Sequence, residues 1–330
     1  MTAFLQRDVF RAMGTTCSIA VAIEHETAAL ASVASLAARR EVAACERALS
    51  RFDTGSDLSR VNRESGSWVS VDERLVEALG TACRLRASTR GKFDPTILPA
   101  LVAAGYDRSF ERLTNRPAAR LDSWCPGARI DVDASAGLVR VERGAKIDVG
   151  GLGKGFAAAR ALDALRVEWP AVTGALVDLG GDIAIWGVPP GGGFWLVDIE
   201  DPRSPGHTVG TLRLAGGGVA TSGSETRRFG PDRRLHHLID PGTGMPSLAG
   251  PYAITVVAPS ASEAEAYSTA LAVCDVDEAQ DLLDSRPDLA ALLIPRSGAP
   301  ISIGPLPLID RRPVVRFVIT DDRGTRFACR

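Results

Sequence analysis

The chain has 330 residues, 45% hydrophobic and 24% charged, enough for one large domain or two modest ones. Lys+Arg of 38 against Asp+Glu of 40 leaves a net charge of −2, so no global field favours nucleic acid or an anionic membrane. No basic run is interleaved with aromatic residues, and no stretch of about 18 apolar residues offers a membrane span.

The opening stretch, "MTAFLQRDVFRAMGTTCSIAV", lacks the apolar core and small-residue cleavage site of a signal peptide. As written the chain reads as cytoplasmic, or as periplasmic if a leader was removed. Its six cysteines, Cys17, Cys45, Cys83, Cys125, Cys274 and Cys329, are scattered with no C-x-x-C pair. That spacing suits neither a zinc site nor a disulfide framework, and the thiols are expected to be ordinary buried or surface groups.

Along the chain, Ser18–Ile23 alternates as a strand and leads into a helix over Glu26–Leu49, with apolar residues at helical spacing. A second helix is predicted from Asp72 to about Ser88, ending before Gly91. Residues 120–148 read as short strands, "ARIDV", "GLVRVE" and "AKIDV". A helix is predicted over Phe156–Arg166. The runs "GALVDLGGDIAIWG", "FWLVDIED", "TLRLAGGGVATSG", "HHLIDP" and "YAITVVAP" then read as strands. Ser262–Val273 is a predicted helix opened by Ser260 or Ser262. The tail from Ser297 carries little amphipathic signal before "PVVRFVIT", so the predicted division is a domain over residues 1–296 and a C-terminal extension over 297–330, packed on the same domain. Strands and helices in mixed order, without steady β-α alternation, predict an α+β fold rather than a doubly wound sheet.

The segment "KIDVGGLGKGF" has the glycines and lysine of a phosphate loop without the Walker spacing, since Asp148 and Gly155 stand where a glycine and a hydroxyl residue should. A strand, then Gly150, Gly151 and Gly153, then a helix, aims N–H groups at a phosphate that Lys154 neutralises. Asp148 repels such a ligand, so it would bind something cationic or accept a hydrogen bond. A tight turn packing a helix on a sheet explains the same residues. In "SEAEAYSTAL", Glu265, Ser268 and Thr269 share one helix face and present hard oxygens suited to Mg²⁺, or form a solvated surface. Thr221, Ser222 and Gly223 offer hydroxyls for phosphate or ribose, or an exposed hairpin. Of the neighbours His236 and His237, only one can face a site from a strand. Phe93 and Asp94, beside Pro95, suit either a heterocycle or a helix-entry turn.

These pieces come in a specific order: M-G-T, S-R-F-D-x-x-S-x-L-S-R-V-N, G-K-F-D-P-T, D-V-G-G-L-G-K-G, G-A-L-V-D-L-G-G-D-I, A-T-S-G, H-x-I-D-P-x-T-G and E-A-x-S-T-A-L. The series, from Met13 to about Val273, resembles the FAD:protein FMN transferases of the ApbE family. The resemblance implies a single-domain α+β fold of the ApbE type, similar to the T-fold, with mixed sheets flanked by helices. It also implies an Mg²⁺-dependent enzyme that moves FMN from FAD onto a Ser or Thr hydroxyl of a partner flavoprotein or redox-complex subunit, releasing AMP. By position, Met13, Phe52, Lys92, Phe93, Asp94, Asp148 and Lys154 would line the FAD site, with Thr221, Ser222, Gly223 and His237 completing it. The Gly151 carbonyl, Glu265 and Thr269 would hold the metal, with Ser268 beside them. A base for the acceptor hydroxyl would be His237, with Asp148 or Glu265 as the alternative. An FAD pyrophosphatase giving FMN and AMP, and a flavin-binding protein with little turnover, are the competing readings. Three positions depart from the family pattern: Glu265 stands for an aspartate, Phe52 for a tyrosine, and Gly242 for an arginine.

Overall fold

The computed structural model describes residues 3–24, 28–113, 124, 126–225, 228–231, 235–309, 319–320 and 326–327. The predicted first strand is one arm of a longer hairpin, β1 (Ala3–Ala12) and β2 (Thr15–Glu24), in register from Ala3 opposite Glu24 to Ala12 opposite Thr15. Met13 and Gly14 close it with φ of 49° and 71°. Both positive values match the two-residue turn that follows the natural twist of a hairpin. The M-G pair is thus a turn, and Met13 accepts a conformation uncommon outside glycine.

Helix α1 (Ala28–Leu49) follows, then α2 (Asp57–Arg63) with Ser56 as its N-cap, β3 (Val69–Ser70) and α3 (Glu73–Ser88) with Asp72 as its N-cap. After α4 (Leu98–Ala103) come β4 (Ile130–Asp133) and β5 (Leu138–Val141), which with β3 form a small sheet. The predicted strand "AKIDV" is not a strand among the described residues: Asn62 pairs its side-chain amide with both backbone groups of Ile147, at 2.7 and 2.8 Å, and the Asp148 N–H donates to Pro95 O at 2.8 Å. Alternation is legible there, but a side chain takes the place of the neighbouring strand.

Helix α5 (Gly153–Glu168) starts inside the glycine loop, earlier than predicted, and leads to the hairpin of β6 (Val172–Leu179) and β7 (Ile183–Gly187). Gly180 and Gly181 turn that hairpin with φ of 75° and 96°, which only glycine accepts readily. Beyond it lie β8 (Trp195–Glu200), β9 (Thr208–Leu214), β10 (Gly216–Gly223), the short pairs β11 (Arg228–Phe229) with β12 (Leu235–His236) and β13 (Ile239–Asp240) with β14 (Met245–Pro246), then β15 (Ala253–Ala258). Ser260 caps α6 (Ala261–Leu271), and a reciprocal Asp275–Glu278 box opens α7 (Val276–Asp284). The described chain continues with β16 (Ala290–Ile294) and β17 (Ile301–Ile303). Of the tail run 313–320 only Ile319–Thr320 is among the described residues, as β18, paired with β19 (Arg326–Phe327).

The main sheet runs β1-β2-β6-β7-β10-β15-β16-β17, and every neighbouring pair is antiparallel. This is the expected α+β architecture. Helices α1, α5 and α6 cover one face, where the largest core joins Ile19, Val21, Cys45, Leu165, Val177 and Tyr267. The β8–β9 hairpin covers the other face through Trp195, Val197, Leu212 and Val219. A third cluster, with Leu101, Tyr106, Phe229 and Ile239, holds α4 against β11–β13. Among the described cysteines all thiols are free. Burial pushes Cys17 up to about 11 and Cys45 and Cys274 up to about 12, so these are inert core groups. Cys125 and Cys329 lie outside the described residues.

Candidate active site around the glycine loop

The loop between Asp148 and α5 meets α6 at close range. The Gly155 N–H, in the first turn of α5, donates to Glu265 Oε2 at 2.7 Å. A Cβ on Gly155 would stand 2.3 Å from the Ala261 carbonyl oxygen, so only glycine lets the two helices approach this far. Glu265, 3% exposed, therefore caps a helix other than its own and uses the favourable field of that N-terminus. Its other oxygen, Oε1, lies 3.4 Å from Lys154 Nζ. Lys154 also pairs with Asp182, which the Gly180–Gly181 turn delivers and which is 3% exposed. One ammonium thus sits between two buried carboxylates.

On the same side of the loop, Thr269 Oγ1 donates toward the Gly151 carbonyl at 3.5 Å. Ser268 lies one residue away but is fully buried. Its hydroxyl donates to the Glu265 carbonyl at 3.0 Å and meets Ser222 Oγ at 2.9 Å, tying α6 to β10. Among the described residues no group of three or more His, Cys, Asp or Glu side chains is arranged to hold a metal. A cation here would lean on carbonyl and hydroxyl oxygens as well as carboxylate. The Gly151–Thr269 gap passes the size test: two contacts of about 2.1 Å to one Mg²⁺ span at most about 4.2 Å.

Asp148, 7% exposed, is fully engaged by protein. Its Oδ2 lies 2.5 Å from Arg51 Nε and its Oδ1 accepts the Gly150 N–H at 2.5 Å. The Arg51 guanidinium lies over two rings, 4.2 Å from the centroid of Phe52 and 4.6 Å from that of Tyr106. Tyr106 stacks on Phe229 at 5.7 Å and meets the His237 ring edge-on at 6.4 Å. An aromatic wall therefore runs from the loop to His237.

The two adjacent histidines have different surroundings, His236 ending β12 and His237 following it. His236, 2% exposed, bonds Ser247 O through Nε2 at 2.9 Å and accepts the Leu238 N–H on Nδ1 at 3.3 Å. Burial lowers its pKa, outweighing the Ser247 hydrogen bond, so it is a neutral structural imidazole. His237 is the one that faces the wall.

Of the other expected residues, Met13 and Phe93 reach the loop: Met13 Cε would lie 3.9 Å from a Cβ on Gly153, and Phe93 Cε2 3.4 Å from one on Gly151. The Met13 N–H is held by Glu46 Oε1 at 2.8 Å. Three others are engaged elsewhere. Lys92 pairs with Glu278 of α7 at 2.7 Å. Asp94 accepts from Thr96 N and Oγ1, both at 2.8 Å, and from Gly127 N at 2.7 Å, which makes it a turn-builder. Thr221 bonds Thr255 at 2.8 Å on the face of β10 opposite Ser222, the face that carries Val219 toward β8–β9. Gly223 ends β10 opposite Ala253. Sequence reasoning misses Arg51 and Asp182, although both lie inside the motif blocks, beside Phe52 and after the paired glycines. Tyr106 has no sequence signal at all.

Residues 13–293 match the sequence model of the ApbE family. The chain is 30% identical over 335 residues to the FAD:protein FMN transferase of Treponema pallidum, covering 93% of this chain and 89% of that one. It is 29% identical over 260 residues to the protein of the same name from Salmonella typhimurium, covering 76% and 73%. The crystal structure of the ApbE protein from Thermotoga maritima superimposes with a TM-score of 0.79 at 27% identity, over 91% of this chain and 97% of that one. The flavinyl transferase ApbE of Pseudomonas stutzeri, apo form, shares the fold with a TM-score of 0.76. On these matches, and on a motif series that folds around one loop, the chain belongs to the ApbE family.

Proposed function

We propose that this chain is a flavin transferase that binds FAD and moves its FMN half onto a Ser or Thr hydroxyl of a partner flavoprotein or redox subunit, releasing AMP. The relatives that carry this activity in their names match over most of their length. The observation that carries the reading is the meeting of the Gly151 carbonyl and the Thr269 hydroxyl, 3.5 Å apart, beside an ammonium held by two buried carboxylates. That is a setting for a pyrophosphate and a divalent cation.

Gly151, Thr269 and Glu265 would hold Mg²⁺, which when bound neutralises pyrophosphate charge and stabilises the departing phosphate. Lys154 offsets part of the charge of Asp182 and Glu265 beside the site, and the start of α5 adds a favourable field. In the transfer, the acceptor oxygen bonds the FMN phosphorus while the bridging P–O bond breaks and its electrons leave with AMP. The acceptor proton passes to a base. His237 suits that role better than Asp148, whose Oδ2 is ion-paired with Arg51 and whose Oδ1 accepts the Gly150 N–H.

The test is incubation with FAD and Mg²⁺, with and without a candidate acceptor domain, following AMP and the acceptor's intact mass. An acceptor heavier by one FMN, with one AMP released per transfer, is expected. AMP without a mass shift would replace the transferase reading with a hydrolase. Bound FAD with neither product would leave a flavin-binding protein.

A further inference from the structure

Arg51 does more than its ion pair requires. Its side chain is 7% exposed, as is that of its partner Asp148. A guanidinium carries five N–H donors in a fixed plane, and its Nε lies 2.5 Å from Asp148 Oδ2. The guanidinium carbon lies 4.2 Å from the Phe52 ring centroid and 4.6 Å from that of Tyr106, two rings tilted 58° to each other. At the remaining edge, Nη2 is enclosed and makes no hydrogen bond among the described residues. A buried charged donor left unmatched destabilises the fold, and such groups are tolerated where something else completes them.

The surroundings indicate what completes this one. Asp148 belongs to the glycine loop, Phe52 is 46% exposed, and Tyr106 touches the ring of His237. Arg51 therefore stands at the junction of the loop and the aromatic wall. A lysine there would pair with Asp148 but could not pack a planar cation beside the rings and present a further N–H edge. Arginine is the residue able to do all three.

We infer that Arg51 is a ligand-binding residue: paired with Asp148 and lying beside Phe52 and Tyr106, it directs its Nη2 donor to an acceptor oxygen of the bound dinucleotide. This rests on the reading of the site as an FAD site. The oxygen is either a carbonyl of the flavin ring or a phosphate oxygen. Both present the same chemistry to a guanidinium, and the test separates them.

Binding of FAD, riboflavin and ADP is measured by titration calorimetry with Mg²⁺ present, for the wild type, Arg51→Met and Arg51→Lys. Arg51→Met is expected to weaken FAD at least about tenfold, the scale of a lost hydrogen bond to a charged group. Riboflavin weakened with ADP unchanged assigns the acceptor to the flavin ring. ADP weakened with riboflavin unchanged assigns it to the phosphates. Unchanged FAD affinity, or equal weakening of both halves, would overturn the inference and leave Arg51 as a brace for Asp148. If Arg51→Met does not fold, Arg51→Lys decides the matter: it keeps a charge on Asp148, and the same selective loss of one half is expected. A wild type that binds none of the three ligands would instead defeat the FAD reading itself.

Discussion

Glu265 uses the full length of its side chain at the glycine loop. The side chain reaches Gly155 N–H at 2.7 Å while staying within 3.4 Å of Lys154. Shortening it in Glu265→Asp withdraws the carboxylate from the start of α5. A charged hydrogen bond of this kind contributes about 1.5–3 kcal/mol, so urea denaturation should show a loss near the lower end of that range. Divalent binding, measured by calorimetry with ADP present, should be kept or improved; its collapse would show that the longer arm is needed by the metal. His236 makes a separate prediction. Its folded pKa lies below the unfolded value of about 6.5, so neutral His236 stabilises the protein fully above that pH. As pH falls below about 6.5 the unfolded state takes the proton first, and stability declines toward the lower folded value. The wild-type melting temperature should therefore fall between about pH 7 and 5, and His236→Gln should flatten that slope. Equal slopes in the two proteins would place the acid sensitivity elsewhere.

Between elements, the loop is held by side chains rather than by strand pairing. Asn62 accepts the Ile147 N–H at 2.7 Å and donates to Ile147 O at 2.8 Å, and Ile147 is fully buried. The Asn of the S-R-V-N block therefore has a physical role, imitating a neighbouring strand for the segment that enters the glycine loop. Asn62→Asp keeps the acceptor but sets a carboxylate oxygen against the Ile147 carbonyl. The expected cost is about 2–3 kcal/mol in urea denaturation, because a buried acceptor loses its donor and meets a like partner. Nucleotide affinity should fall with it as the loop loosens. A variant as stable as the wild type would mean that the Pro95 contact alone fixes the segment. The same place shows where the sequence stops being legible. Alternation reads residues 145–149 as a strand, yet the segment forms none, because periodicity cannot tell whether a strand or a side chain supplies the partners. Helix ends read from caps fare better, since Asp72 and Ser260 announce themselves by side-chain chemistry.

Across the whole molecule, what the sequence reveals is order and class: the α+β fold and the motif series survive folding because both are set by local pattern. What stays hidden depends on contacts far apart in the chain. Tyr106 joins the wall only because α4 folds against β11 and β13, and Asp182 meets Lys154 only through a hairpin turn. The C-terminal boundary is the same kind of question. A division at residue 296 follows the loss of amphipathic signal, yet Ile301–Ile303 pairs with β16 inside the main sheet, and Ile303 is 3% exposed. Further on, Arg213 N donates to Pro307 O at 2.9 Å and Ile309 N to Thr211 O at 3.0 Å, so this segment also fastens the β8–β9 hairpin. A chain ending at Arg296 would leave β16, "AALLI" and buried throughout, as a bare sheet edge. Long apolar edges pair with other chains. That shortened chain is expected to melt lower than the full protein and to aggregate on size-exclusion chromatography. A chain ending at Ile309 should keep both the melting temperature and the monodisperse profile. If the Arg296 truncation behaves as the full chain does, β17 is dispensable and the folded unit closes at β16; if only the Ile309 version survives, the main sheet requires β17 as its closing strand.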